Sequence, residues 1–147
     1  MAVAALIAWV LTALGGFVLL GRWITRGGLR QQRDGTTRFP AGVVFGHFGL
    51  AAAGLLVWIA YLLLDSDRLA WIGFAVLVPV AVLGFTLLAR WSAGRRHRSA
   101  VGVTSAGSSA MSDAEPAEQT LPVPVVVAHG LFAVATVVLA LLTALAA

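Results

Sequence analysis

The sequence predicts an all-α integral membrane protein: a four-helix bundle built as a tandem repeat of two helical hairpins about a pseudo-two-fold axis along the membrane normal. Three observations predict it. Of 147 residues, 60% are hydrophobic and only 11% charged, whereas a soluble domain carries about 25% charged residues. The apolar residues gather into four runs, and each later run is long enough to cross a hydrocarbon core of about 30 Å at about 1.5 Å per residue. An octet of sequence at the end of the first run recurs at the end of the third.

The first run, 2–20, has no charge before it and Arg22, Trp23 and Arg26 directly after it. A secretory signal has the opposite charge order, so an uncleaved span is expected. The second, third and fourth runs are 39–64, 69–91 and 121–147. Between the first two lie Arg26, Arg30, Arg33 and Arg38 against Asp34, and after the third lie Arg95, Arg96 and Arg98. By the positive-inside rule both long loops face the cytoplasm and both termini are external. The turn Asp65-Ser66-Asp67-Arg68 is short and acidic on balance, which closes spans two and three into a tight outer hairpin. Pro79 is expected to kink the third span. The segment 93–120, rich in Ser, Gly and Ala, is expected to be a flexible cytoplasmic loop, with His97 solvated. Trp23 and Trp91 are placed at the inner membrane interface, and Trp9, Trp58, Trp71 and Tyr61 towards the outer one. Basic residues are all arginine and the apolar ones mostly Ala, Val and Leu, a composition expected of a GC-rich bacterium and hence of its cytoplasmic membrane.

Composition also excludes. There is no cysteine, hence no disulfide, thiolate nucleophile or cysteine-held metal. The pI near 11.4 comes from arginines that flank apolar runs, so they read as topology signals and not as a nucleic-acid face.

The repeated octet is Gly16-Phe17-Val18-Leu19-Leu20-Gly21-Arg22-Trp23 against Gly84-Phe85-Thr86-Leu87-Leu88-Ala89-Arg90-Trp91, identical at six of eight positions. The even spans align at another offset, with Pro40, Val43, Val44, His47, Ala51 and Ala53 on Pro122, Val125, Val126, His129, Ala133 and Ala135. The chain is therefore expected to be one membrane domain over 1–147, with repeat one at 1–64 and repeat two at 69–147, both starting on the same side.

His47 and His129 are the ionisable residues well inside the spans. Each lies seven residues after the proline that opens its helix, about 10 Å along the axis, so they share one depth. An intramembrane histidine is a functional-site hypothesis by default. Imidazole ligates Zn, Cu, Fe and Ni, but no third protein ligand is in reach, so a cofactor must bring the remaining donors. A porphyrin brings four equatorial nitrogens and leaves two axial positions. Desolvation and the positive helix N-terminus both favour the neutral imidazole that binds a metal. Heme b is the cofactor expected, with His47 and His129 as its metal ligands. Ala51 and Gly54 on one helix, and Ala133 and Thr136 on the other, follow at helical spacing and leave room for a planar ring. Arg22 and Arg90 are placed to meet heme propionates or, equally, to snorkel to lipid phosphate.

Histidines on separate helices of a four-span bundle resemble the small four-helix membrane b-type cytochromes, on His47 and His129 alone. The resemblance implies an electron-transfer protein exchanging electrons with quinone or a larger respiratory membrane complex. The chain departs from the two-heme pattern, because Trp58, Tyr61, Ala140 and Thr143 occupy the later turns where a second histidine pair would stand. No nucleophile-base pair, phosphate loop or carboxylate dyad is visible in the spans, so it is not expected to be an enzyme by itself. Two other readings stay open at this point: a structural or assembly subunit whose histidines bond between helices, and a proton-linked transporter or sensor.

Overall fold

The computed structural model describes residues 1–104 and 115–147, and all regular structure among them is helical. The elements in order are α1 (Ala2–Thr25), α2 (Gly28–Arg33), α3 (Ala41–Leu64), α4 (Asp67–Thr104), a 3-10 turn (Ala117–Thr120) and α5 (Val123–Leu145). Four of these helices are long and apolar enough to cross a membrane. Their outward side chains, among them Leu14, Phe17, Leu56, Leu63, Val82, Phe85 and Leu131, are apolar and exposed, as a surface in contact with lipid requires.

Local chemistry fixes the helix ends. Gly27 takes φ +84 after α1, a left-handed turn that glycine adopts without Cβ strain, and α2 follows at once. Pro40 and Pro122 are extended N-caps; their carbonyls accept from Val43 and Val44 N–H, and from Val125 and Val126 N–H, at 3.0 and 3.1 Å in each case. A proline there loses nothing, since its missing N–H would have had no partner in the helix. Asp65, at φ 49, ends α3 and Asp67 opens α4, where a carboxylate suits the positive helix end.

The helices pack most closely as α1 with α5 and α3 with α4. Two clusters of buried side chains fill the two ends of the bundle. Trp23, Phe39, Val44, Trp91, Ala117 and Leu121 pack at the arginine-rich end, and Ala5, Trp9, Trp58, Leu77 and Ala140 at the other.

Several expectations change. The third helix does not stop at Trp91 but runs to Thr104, through Pro79 without a break. Beyond Trp91 the three arginines are good helix formers; the Arg95 guanidinium stacks 5.2 Å from the Trp91 ring centre and Arg96 bonds the Ser92 hydroxyl. The far end of the expected 93–120 loop is also ordered. Gln31 of α2 accepts from Ala117 N–H and donates to Glu115 C=O, strapping this segment to α2. Glu118 is fully buried, accepting from the Thr37 hydroxyl at 2.7 Å and Arg38 N–H at 2.8 Å. What is left of that loop expectation falls on 105–114, outside the described residues. The tryptophan belt is corrected too: Trp9, Trp23, Trp58 and Trp91 are buried, and Trp71 alone of the five is exposed, at 45%. The helix faces turn those four inward, where their indoles fill the bundle ends.

Candidate functional site

The site begins with two carbonyls. In a helix, the C=O of residue i is covered by the side chain four residues on, so a neighbouring helix reaches it only where that residue is small. Thr12 is followed four residues later by Gly16, and Val80 by Gly84. Into these two notches the histidines insert. His129 Nδ1 lies 2.8 Å from Thr12 C=O and His47 Nδ1 lies 2.9 Å from Val80 C=O. A Cβ on Gly84 would come within 3.0 Å of His47 Cε1, and one on Gly16 within 3.3 Å of His129 Cε1. Since a carbonyl accepts, Nδ1 carries the proton in both rings, and Nε2 is the nitrogen with a lone pair to offer. Neither Nε2 has a hydrogen-bond partner among the described residues.

The two rings lie edge to face, with centroids 6.3 Å apart and planes at 68°. One metal ion bound at about 2.0 Å by a nitrogen of each of two opposed imidazoles separates their centres by roughly 6 Å. Metal-binding histidines almost always donate their other N–H to a carbonyl or carboxylate, which fixes ring and tautomer. The ring separation and the two Nδ1 bonds are the observations that bear on metal binding. No group of three His, Cys, Asp or Glu that could hold a metal occurs among the described residues, so any such ion must bring further donors with it.

The layer around the rings is only partly buried. No residue is fully buried over 10–22 of α1, 45–53 of α3, 81–90 of α4 or 123–135 of α5; the Phe17 and Phe48 rings meet there at 5.3 Å, and half-buried Leu19, Leu20, Leu87 and Val126 pack against the cluster at the arginine-rich end.

The remaining sequence-predicted site residues divide. Ala51 and Ala133 are half-buried beside the rings' level. Gly54 and Thr136 are instead taken up by helix packing. A Cβ on Gly54 would lie 2.9 Å from Trp9 Cζ2, and Thr136 is buried with its hydroxyl 2.8 Å from Phe132 C=O and 3.3 Å from the Thr12 hydroxyl. Arg22 and Arg90 are exposed and each clamps the loop before a returning helix, Arg22 Nε on Thr120 C=O and Arg90 on Arg38 C=O, both at 3.0 Å. Sequence reasoning missed Gly16 and Gly84 as histidine notches; their place at the head of the repeated octet was the available signal.

Comparison with protein-family models, with curated proteins and with solved structures gives no match.

Proposed function

We propose that this chain is a membrane electron-transfer protein that binds one heme b between His47 and His129. The observation that carries this reading is the pair of imidazoles 6.3 Å apart, each bonded through Nδ1 to a carbonyl of another helix, in a layer with no fully buried side chain. Each ring is oriented by its Nδ1 bond, which leaves the lone pair on Nε2. Heme b, when bound, supplies a reversible one-electron couple. The chain's own contribution is to orient both imidazoles, with half-buried Ala51 and Ala133 alongside and the exposed guanidinium groups of Arg22 and Arg90 at the arginine-rich end as partners for carboxylates. Quinone in the bilayer or a neighbouring respiratory complex is the proposed electron partner. The bacterial cytoplasmic membrane is the proposed location, with the arginine-rich end inside and both termini external.

A tandem duplication is part of the same reading, supported by contacts that correspond at offsets of 68 and 82 residues. The bonds His129 to Thr12 and His47 to Val80 correspond, as do Arg22 to Thr120 and Arg90 to Arg38. The closest helix pairs join one copy to the other, so the hairpins interleave: α1 pairs with α5 as α4 pairs with α3.

A second reading is favoured by one observation: the Nδ1 bonds are themselves interhelical, as a purely structural histidine would make. Optical spectra separate the two. The protein purified in detergent with heme present is expected to show Soret and α bands that shift on dithionite reduction and vanish in His47→Ala and in His129→Ala. A colourless preparation, or bands that survive both substitutions, would leave the structural reading.

A further inference from the structure

We propose that the indole N–H groups of Trp23 and Trp91 are the donors of a carboxylate site, which holds the two acidic side chains of the ligand bound between the histidines. This rests on the heme reading above and adds which edge of the ligand is recognised and by what.

Trp23 and Trp91 are 1% and 8% exposed, and the Nε1 of each is buried with no hydrogen-bond partner among the described residues. Buried indoles usually find an acceptor, and Trp58 does, donating to Ala2 C=O at 3.2 Å. Two orphaned donors of one kind, at corresponding places of a repeated octet, point to an acceptor that the described residues do not supply. Their position says which acceptor. Trp23 follows Gly16 by seven residues and Trp91 follows Gly84 by seven, two turns along the same helix face and about 10 Å towards the arginine-rich end. Gly16 and Gly84 are among the residues against which the histidine rings rest, so each indole lies about two turns from a histidine contact, in the buried cluster at the arginine-rich end. The two acidic side chains of a heme held by the histidines would, if directed to this end, be met by these donors.

The electrostatics agree in sign. Arg22 and Arg90 precede the two indoles and are both exposed at this end. The buried carboxylate nearby, Glu118, is already met by Thr37 and Arg38 N–H. Gly28 lies over the ring of Trp23, so close that a Cβ there would fall inside the indole; contact on the ring face holds the side chain without using its in-plane N–H.

The test uses the full chain in zwitterionic nanodiscs, titrated with heme b and with its dimethyl ester, in wild type and in Trp23→Phe/Trp91→Phe. Wild type is expected to bind heme b more tightly than the ester, and the double variant to lose about 10-fold or more for heme b while binding the ester as wild type does. The ¹⁵N-indole resonances of Trp23 and Trp91 are expected to move with heme b and not with the ester. Equal affinity of the variant and wild type for heme b, or an equal loss for acid and ester, overturns the proposal. Should the variant fail to insert, wild-type affinity and indole shifts decide: no preference for the acid and no acid-specific shift overturn it. Wild type binding neither form removes the histidine reading and this proposal together, whereas binding both without discrimination removes this one alone.

Discussion

Replacing Gly84 by alanine tests whether the glycine notch exists to aim His47. The added Cβ would stand 3.0 Å from Cε1 and 3.5 Å from Nδ1 of His47, so the ring must retreat by a few tenths of an ångström, away from Val80 C=O. Two stability terms then oppose. Alanine in place of a mid-helix glycine gains about 1 kcal/mol of helix propensity. A weakened interhelical hydrogen bond in a membrane protein loses about 0.6 kcal/mol on average. The sum is near zero, and thermal unfolding followed by circular dichroism is expected to change little. Ligand binding has no such compensation. Disturbing the group that orients a metal-binding histidine typically lowers affinity about 10- to 100-fold, or roughly 1.4–2.7 kcal/mol at about 1.36 kcal/mol per tenfold step. Heme titration by difference spectra measures this directly. Gly49→Ala on α3 is the control, because a Cβ there meets nothing within 4 Å. Equal heme affinity in Gly84→Ala and Gly49→Ala would refute the notch argument, and so would a Gly84→Ala protein that loses heme only because it unfolds.

Other substitutions probe the filled ends of the bundle. Gly28→Ala drives a methyl group into the buried Trp23 indole and is expected to destabilise by about 1–3 kcal/mol, the usual cost of overpacking, read as a lower thermal midpoint. Gly54→Ala brings a Cβ to 2.9 Å from Trp9 Cζ2 and 3.1 Å from Val76 Cγ1; a loss of similar size is expected, with heme affinity per folded molecule unchanged. Glu118→Ala leaves the Thr37 hydroxyl and Arg38 N–H without their carboxylate. Each hydrogen bond to a charged group is worth about 1.5–3 kcal/mol, so hydrogen exchange and proteolysis at residues 36–41 are expected to rise sharply, with the spans still protected.

What the sequence determined follows from the bilayer. No water satisfies backbone groups in hydrocarbon, so four long apolar runs between arginine-rich segments admit little but four helices. The boundaries at Pro40 and Pro122 were legible because proline lacks the N–H a helix interior needs. The depth of His47 and His129 was legible too, since a constant rise per residue turns spacing into position. What faces what was not. A helix that is apolar all round carries no stripe to say which side meets protein, so the four inward tryptophans, and the packing roles of Gly54 and Thr136, emerge only when helices are set against each other. The order beyond Trp91 and the burial of Glu118 were hidden for a related reason: polar residues in a loop look solvated until distant partners, here Gln31, Thr37 and Arg38, bring acceptors and donors to them. Only the tertiary structure decided that each imidazole is held by a carbonyl of another helix, because that contact depends on a missing Cβ on the neighbour and not on anything in the histidine's own surroundings along the chain.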